Sequence, residues 1–446
     1  MKQQSQLSCI NQNAAGIDIG SKSHFVAVPP DRAEKHVREF SSFTSGLEEI
    51  VTWLKECKIE TVAMESTSVF WIPLYETLES NGFEVYLVDA RKIKNVPGRK
   101  TDVKDSEWIQ QLHTFGLLHA AFRPNQEICE LRSYLRHRAN LIEQGAQQIN
   151  LIQKSLDLMN IKIHNVVSQI TGKTGMTILR SIIDGERNPE KLAAHRTAQC
   201  KASTELFVES LKGQYRAEHI FSLKQAVSIY DTYQDKILEC DQEIEKLLEK
   251  HKKKKSDDND DKQEPYSKKK KSNSKNSFEF NLGELLMDMT GVDLTRIDGI
   301  SPNNALTIIA EIGLNMNCWK NEKHFSSWLD LSPGNRKSGG KQISGKTRKN
   351  ANRAAKAFRL AAMTLYKSQS SLGAYFRRMR SKKGSPKAIT AAAHKIAKLF
   401  YSVLKYGKEY LDKGMEHYEK QFEAKRLKFL EKQARQFGHT LTLVGV

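Results

Sequence analysis

The stretch at residues 100–108, KTDVKDSEW, decides how the rest of the chain is interpreted. Thr101 or Asp102 can cap the start of a helix, and apolar residues follow at helical spacing. On that helix Asp102 and Asp105 are three residues apart, so their carboxylates share one face. Like charges so close repel one another unless a cation such as Mg²⁺, which prefers carboxylate oxygens, compensates them. The alternative is a solvated acidic first turn, which the helix dipole favours.

The composition of the chain limits the classes of protein to which it can belong. Its 446 residues, 39% of them hydrophobic, are enough for two or three domains with real cores. No apolar run reaches the roughly 18 residues of a membrane span, and the first residues lack a signal-peptide core. The six cysteines are scattered without a CxxC pair, which disfavours a zinc site or a disulfide framework. We therefore expect a cytoplasmic protein with no membrane partner.

The net charge is the strongest compositional signal. A formal charge of +19 and a pI near 9.4 give the surface a positive field that suits a polyanion. Nucleic acid is the expected partner, and a merely basic protein is the alternative.

The N-terminal third, residues 10–125, has the pattern of an α/β sheet. AAGIDIGSKSHFVAV predicts two strands joined by a turn at Gly20, and helices then alternate with the strands TVAME and FEVYLVD. Asp18 lies inside the first strand and Glu65 ends a later one, at the carboxyl edge where open α/β sheets place ligand sites. An acid on strand one, an acid after a later strand and two acids on a helix resemble the RNase H-like fold of RuvC-type nucleases. That fold would hold two Mg²⁺ ions with these four carboxylates.

Three segments resemble one protein family more closely. IDIGSKSH, VAMESTSVFW and KTDVKDSEWIQQLHTFGLL are similar to the DEDD domain of insertion-sequence transposases known as RNA-guided, or bridge, recombinases. The resemblance implies a catalytic and metal-binding tetrad of Asp18, Glu65, Asp102 and Asp105. Each position holds an acid, as the family requires.

The middle of the chain, residues 126–250, predicts a helical coiled-coil domain. Apolar residues recur at heptad spacing over residues 127–159 and again over 217–250, with a phase slip between Tyr230 and Tyr233. The two helices either form a hairpin within one chain or join two chains, and the resemblance favours the second. Six basic residues here either contact nucleic acid or are ordinary surface charges: Arg132, Arg136, Arg138, Lys154, Lys162 and His164.

Two further segments are set apart by composition. Residues 251–277 contain runs of lysine and aspartate with almost no apolar residues, which predicts a disordered basic linker. The tail, residues 411–446, predicts a basic amphipathic helix, and no function is assigned to it.

The segment at residues 278–410 predicts a mainly α-helical domain. LTRIDGISPNNALTIIAEIG resembles a helix-hairpin-helix, whose glycine turn either meets a DNA phosphate or serves only packing. Residues 329–358 then form a glycine- and lysine-rich loop that ends in a helix, and the alternative there is a flexible surface loop. Ser338 stands in this loop between Lys337 and two glycines, where positive charge would stabilise a serine nucleophile and a phosphorane-like transition state.

This loop also resembles the C-terminal domain of the same transposases, in which a serine followed by Gly or Ala and then Gly-Lys attacks DNA and forms a phosphoserine-linked intermediate. The matching residue is Ser338, because the flanking Ser332 and Ser344 lack the Gly-Gly-Lys that follows it. The predicted nucleic-acid contacts around it are Arg336, Lys337, Gly339, Gly340, Lys341, Lys346 and Arg348.

The sequence thus predicts a DNA transposase that cuts and rejoins strands through a phosphoserine link, with Mg²⁺ at the tetrad as cofactor. The resemblance further implies a structured guide RNA and a homo-oligomer, a dimer or a tetramer. Two alternatives remain open. One is a RuvC-like junction nuclease that uses water as nucleophile, and the other is a non-catalytic nucleic-acid-binding protein.

Overall fold

The computed structural model describes residues 9–66, 68–89, 102–251, 276–334, 336–347, 352–407 and 414–442. The described chain divides into two compact units, one ending at Arg123 and the other beginning at Pro124. The predicted linker falls largely on residues 252–275, which lie outside the described residues, as do residues 443–446 of the tail.

The first unit is built on one five-stranded sheet. Its strands are β1 (Ala14–Ile19), β2 (Ser23–Ala27), β3 (Val37–Ser41), β4 (Thr61–Glu65) and β5 (Glu84–Val88). Their order across the sheet is β3-β2-β1-β4-β5, with the first three antiparallel and β1, β4 and β5 parallel. This is the mixed sheet of an RNase H-like domain, so the predicted fold class is confirmed. The sequence reading did not foresee β3.

Helices cover both faces of this sheet. They are α1 (Thr44–Glu56), α2 (Trp71–Ser80) and α3 (Asp102–Thr114). Leu54 of α1 and Leu74 of α2 share a buried core with Ile17 and Met64, whereas Ile109 of α3 packs with Ala63 and neighbours on the opposite face. Because side chains alternate along a strand, residues 15, 17 and 19 of β1 face α1 and α2, and residues 14, 16 and 18 face α3.

The second unit is mainly helical. Its helices, apart from short 3₁₀ turns, are α4 (Gln126–Leu158), α5 (Lys173–Ile183), α6 (Pro189–Ala193), α7 (Thr204–Ser210), α8 (Ala217–Lys250), α9 (Leu282–Thr290), α10 (Pro302–Ile312), α11 (Glu322–Trp328), α12 (Arg353–Thr364), α13 (Ser371–Lys383), α14 (Ser385–Tyr406) and α15 (Gly414–Gln436). Its two strands, β6 (Arg336–Ser338) and β7 (Lys341–Ser344), form a separate antiparallel hairpin.

The long helices α4 and α8 pair within one chain. Leu141 of α4 packs with Ile237 of α8 in one cluster, and Ile152 packs with Leu223 in another. The heptad positions of α4 and α8 are therefore occupied by intramolecular packing, as the hairpin alternative predicts. The oligomeric state stays a prediction.

Three arginines of α4 have hydrogen-bond partners inside the chain. The guanidinium of Arg132 donates to the carbonyl oxygens of Ala310 and Glu311, each at 2.9 Å, which caps the end of α10. Arg136 bonds the carboxylate of Glu311 at 2.9–3.1 Å. Arg138 is not the ordinary surface charge that the sequence offers as one alternative, because its guanidinium is buried and bonded to Asp241 of α8.

The glycine turn of the helix-hairpin-helix-like element serves packing. Its first helix is only a 3₁₀ turn, Leu294–Arg296, and α10 begins at Pro302 after the turn. Gly299 has a φ of 88°, and a Cβ built there would lie 2.6 Å from the carbonyl oxygen of Ala361 in α12. The glycine thus allows α12 to approach the turn, and contact of the turn with a DNA phosphate stays a prediction.

Candidate active site

Asp18 and Glu65 lie side by side at the carboxyl edge of the sheet. The parallel register pairs Ile17 of β1 with Met64 of β4, so the next residue of each strand is one of these two acids. Asp18 occupies a position of β1 that faces α3. Glu65 lies two residues after Ala63, which packs with residues of α3, so Glu65 lies on the same face of the sheet. Both residues are half-buried. Two carboxylates therefore emerge next to each other on the face that α3 covers.

Helix α3 crosses this face in direct contact with β1, and Gly16 makes the contact possible. A Cβ at Gly16 would lie 2.2 Å from the amide nitrogen of Gln110 and 2.5 Å from the carbonyl oxygen of Ser106. Any larger residue would push the helix off the strand. A glycine inside a strand often marks such a close approach of another backbone.

The direction of α3 places its acids at the same edge. Gln110 Nε2 donates to the carbonyl oxygen of Ala14 at 3.4 Å, and the turn at Ser106 lies over Gly16. A step of one turn along the helix, about 5.4 Å, nearly matches a step of two residues along the strand, about 6.6 Å. The first turn of α3, with Asp102 and the half-buried Asp105, thus continues toward Asp18.

The other end of α3 is fixed by a buried histidine. His113 Nε2 and the hydroxyl of Thr61 on β4 are 2.9 Å apart in a hydrogen bond, and Asn11 Nδ2 donates to the His113 carbonyl oxygen at 2.8 Å. Burial lowers the pKa of His113 to about 4, so the imidazole is neutral near pH 7. A further hydrogen bond holds the side of the helix, because His36 Nε2 lies 2.9 Å from Glu107 Oε1.

The side chains at this edge offer carboxylate oxygens, which are the type of ligand that a hard divalent cation prefers. The side chain of Asp102 lies outside what the structure describes. Among the described side chains, no three acids, histidines or cysteines form a group that could hold a metal ion. Metal binding by Asp18, Glu65, Asp102 and Asp105 therefore stays a prediction.

Ser338 stands at the end of the β6–β7 hairpin. Gly339 and Gly340 form its two-residue turn with φ of 54° and 74°, as a type I′ turn requires. Ser338 pairs with Lys341 across the turn, and both side chains are exposed. The glycine- and lysine-rich loop predicted from the sequence is therefore a hairpin, because Gly-Gly can adopt positive φ at both central positions.

The predicted nucleic-acid contacts are distributed along this hairpin. Lys341 and Lys346 are exposed, and Gly334 N–H donates to the Lys346 carbonyl oxygen at 3.1 Å to close the base. A Cβ at Gly339 or Gly340 would meet nothing within 4 Å. The side chains of Arg336 and Lys337, and all of Arg348, lie outside the described residues. The tetrad positions belong to the first unit and Ser338 to the second.

Sequence reasoning missed two residues of the carboxylate edge. Gly16 lies in β1 as expected, but a glycine in a buried strand also signals a close contact with another backbone. Asp89 follows β5 directly, one residue beyond the Val88 that pairs with Glu65. The rule that pointed to Glu65, an acid at the carboxyl end of a strand, applies to Asp89 as well.

Two family models match the chain in the order of its two functional regions. One describes the DEDD domain of IS110 transposases and matches residues 15–161, and the other describes the transposase IS116/IS110/IS902 family and matches residues 293–377. The chain carries the two domains of IS110-type transposases. No curated protein matches the chain significantly.

The matched regions contain the residues singled out above. The first includes Asp18, Glu65, Asp102 and Asp105, and the second includes Ser338. This transposase is accordingly an enzyme that acts on DNA, and its DEDD domain implies dependence on a divalent metal ion. No helix in the described part of the chain has both the length and the apolar character of a membrane span.

Proposed function

We propose that this IS110-type transposase cuts and rejoins the DNA strands of an insertion sequence through a phosphoserine-linked intermediate. The observation that carries the proposal is the packing of α3 across Gly16, which directs Asp102 and Asp105 to the edge where Asp18 and Glu65 lie side by side. A set of acids on one sheet edge is suited to binding a metal ion and a phosphodiester together.

Asp18, Glu65, Asp102 and Asp105 are the residues that would hold Mg²⁺. A bound divalent ion would neutralise the charge that develops on the phosphate oxygens during strand cleavage. The protein contributes by holding these four acids in place. Two acids are fixed on paired strands, and the other two are on a helix that hydrogen bonds tie to the sheet at Ala14 and Thr61.

Ser338 is the proposed nucleophile. Its Oγ forms a bond to phosphorus as the bond from phosphorus to the bridging 3′ oxygen breaks. The serine hydroxyl gives up its proton, and the departing 3′ oxygen takes one up. In the rejoining step, a 3′ hydroxyl attacks the phosphoserine and releases the serine. The exposed tip of the hairpin allows Ser338 to approach a DNA strand, and the exposed Lys341 opposite it supplies positive charge.

A structured guide RNA and a homo-oligomer, a dimer or a tetramer, complete the proposal. The net charge of +19 supports binding to RNA and DNA together. Such a guide would select the DNA by base pairing, while the protein reads the shape and backbone of the nucleic acid. Acids and serine from different protomers would then complete one site.

A denaturing gel tests the proposed chemistry. The purified protein, with any RNA that copurifies, is incubated with end-labelled DNA containing the element junction, with and without Mg²⁺. We expect a slowly migrating protein–DNA adduct that is lost in Ser338→Ala and without the metal. Ser344→Ala, in the same hairpin, is the matched control and should retain the adduct. Cleaved DNA without an adduct, unchanged in Ser338→Ala, would overturn the serine mechanism in favour of the water-using nuclease.

A further inference from the structure

The β6–β7 hairpin contains an irregularity next to the proposed nucleophile. Ser338 pairs with Lys341 and Lys337 with Gln342, but Arg336 pairs with Ser344. One residue of β7 is therefore left without a partner across the ladder. That residue is Ile343, which makes the irregularity a β-bulge. Bulges are frequent beside active sites, where they redirect a side chain.

The bulge holds an apolar side chain in solvent. Ile343 is 68% exposed, whereas burial of such an aliphatic side chain away from water is favourable. Basic residues surround it in sequence, from Arg336 and Lys337 to Lys341 and Lys346. The hairpin therefore presents one large aliphatic group on a surface otherwise suited to phosphates.

The spacing along β7 relates Ile343 to the reacting phosphate. Lys341, which pairs with Ser338, is two residues away, or about 7 Å along an extended strand. A nucleic-acid strand advances about 3.4 Å per base. When Ser338 meets a phosphate, Ile343 thus falls within about two bases of it.

We propose that Ile343 is a DNA-contacting wedge that inserts between or against the bases beside the scissile phosphate. The inference rests on the proposed function, because it takes Ser338 as the residue that meets that phosphate. Backbone contacts from lysines do not separate stacked bases, whereas aliphatic side chains that enter a base step unstack it. The burial of the Ile343 side chain offsets part of the unstacking cost, and the unstacked step gives the serine access to the phosphate.

Fluorescence of 2-aminopurine tests the wedge without requiring the reaction. The probe replaces a base on either side of the phosphate that carries the adduct, and the protein background is Ser338→Ala, which leaves the DNA uncut. We expect the fluorescence to rise when Ser338→Ala binds, and not when Ser338→Ala/Ile343→Ala binds to saturation. Ser338→Ala/Leu360→Ala is the matched control, since Leu360 is 48% exposed on α12, and it should retain the rise. An equal rise with Ile343→Ala would overturn the proposal.

Adduct formation supplies the second measurement. On fully paired DNA, Ile343→Ala should form adduct about tenfold more slowly than the wild type, and a mismatch at the probed step should restore its rate. Ile343→Met, which keeps an aliphatic side chain, should resemble the wild type. Equal rates for Ile343→Ala and wild type, or a loss that the mismatch does not restore, would contradict the wedge. If the wild type forms no adduct at all, the proposed function fails, which is distinct from a failure of Ile343 alone.

Discussion

The carboxylate edge and the serine hairpin are positioned in opposite ways. Asp18 and Glu65 lie on paired strands, and α3 packs so closely on β1 that no side chain fits at Gly16. Ser338 stands beside a two-glycine turn at which an added Cβ would meet no atom within 4 Å. The proposed metal-binding acids of the sheet are thus held by the packing of the fold, whereas the proposed nucleophile lies on an exposed hairpin.

Loss of one carboxylate should have the largest effect on activity. We expect Asp105→Asn to slow strand cleavage roughly a thousandfold or more, about 4 kcal/mol in the activation barrier, because a metal ligand charge is lost. The melting temperature should stay within a few degrees of wild type. Glu49→Gln, an exposed acid on α1, is the control and should cleave normally. Normal cleavage by Asp105→Asn would remove this residue from the catalytic set.

Gly16→Ala tests whether the edge depends on packing. The added Cβ would overlap the backbone of α3 at Ser106 and Gln110, so we expect a loss of about 3 kcal/mol in unfolding free energy. Chemical denaturation followed by circular dichroism measures it. A stability equal to that of the wild type would show that α3 is free to move, and that the carboxylate edge is no more fixed than the hairpin.

The pH dependence of stability reports the anchor of α3 at His113. The folded-state pKa of about 4 is below the unfolded value of 6.5, so the unfolded state binds a proton first as the pH falls. This contribution is fully present above pH 6.5 and is lost as the pH approaches 4. Between pH 7.5 and 4.5 we expect wild type to lose about 2–3 kcal/mol more stability than His113→Gln. Parallel pH profiles would show that His113 is not buried neutral.

The turn of the hairpin should produce the smallest effect. Gly340→Ala forces an alanine into positive φ, at a cost of about 1 kcal/mol confined to the hairpin. We expect an unchanged melting temperature and a few-fold slower adduct formation. Gly340→Asn should recover most of the rate, because asparagine tolerates this conformation. A large drop in melting temperature would mean that the hairpin is part of the core, contrary to the contrast drawn above.

Much of the fold could be predicted because its signals are local. The apolar periodicity gives the bounds of α4 and α8 to within a residue, and the capping residues give the start of α3. The sequence does not predict strand β3, VREFS, because it is a short edge strand whose charged residues obscure the alternation of apolar and polar positions. The sequence does not predict the β6–β7 hairpin either, because its strands are short and basic, although Gly339-Gly340 is itself a hairpin signal.

The contacts within the site could be predicted only in part. Strand ends and helix spacing single out Asp18, Glu65, Asp102 and Asp105, because those rules need no tertiary information, and the resemblance implies that the four form one tetrad. The partners of Arg132 and Arg138 lie more than a hundred residues away in sequence, and so no local pattern reveals them. The sequence therefore leaves open what these arginines contact, and the structure shows that they form hydrogen bonds and ion pairs within the chain.

The central claim is that Ser338 becomes bonded to DNA, and peptide mass spectrometry tests it most directly. Wild-type protein is reacted with junction DNA and Mg²⁺, and is then digested with nuclease and with trypsin. Cleavage after Lys337 and Lys341 leaves a peptide whose one serine is Ser338. The account predicts this peptide with the added mass of a nucleotide phosphate, absent from Ser338→Ala and from Asp105→Asn. An adduct on any other residue, or cleaved DNA with an unmodified peptide, would contradict it.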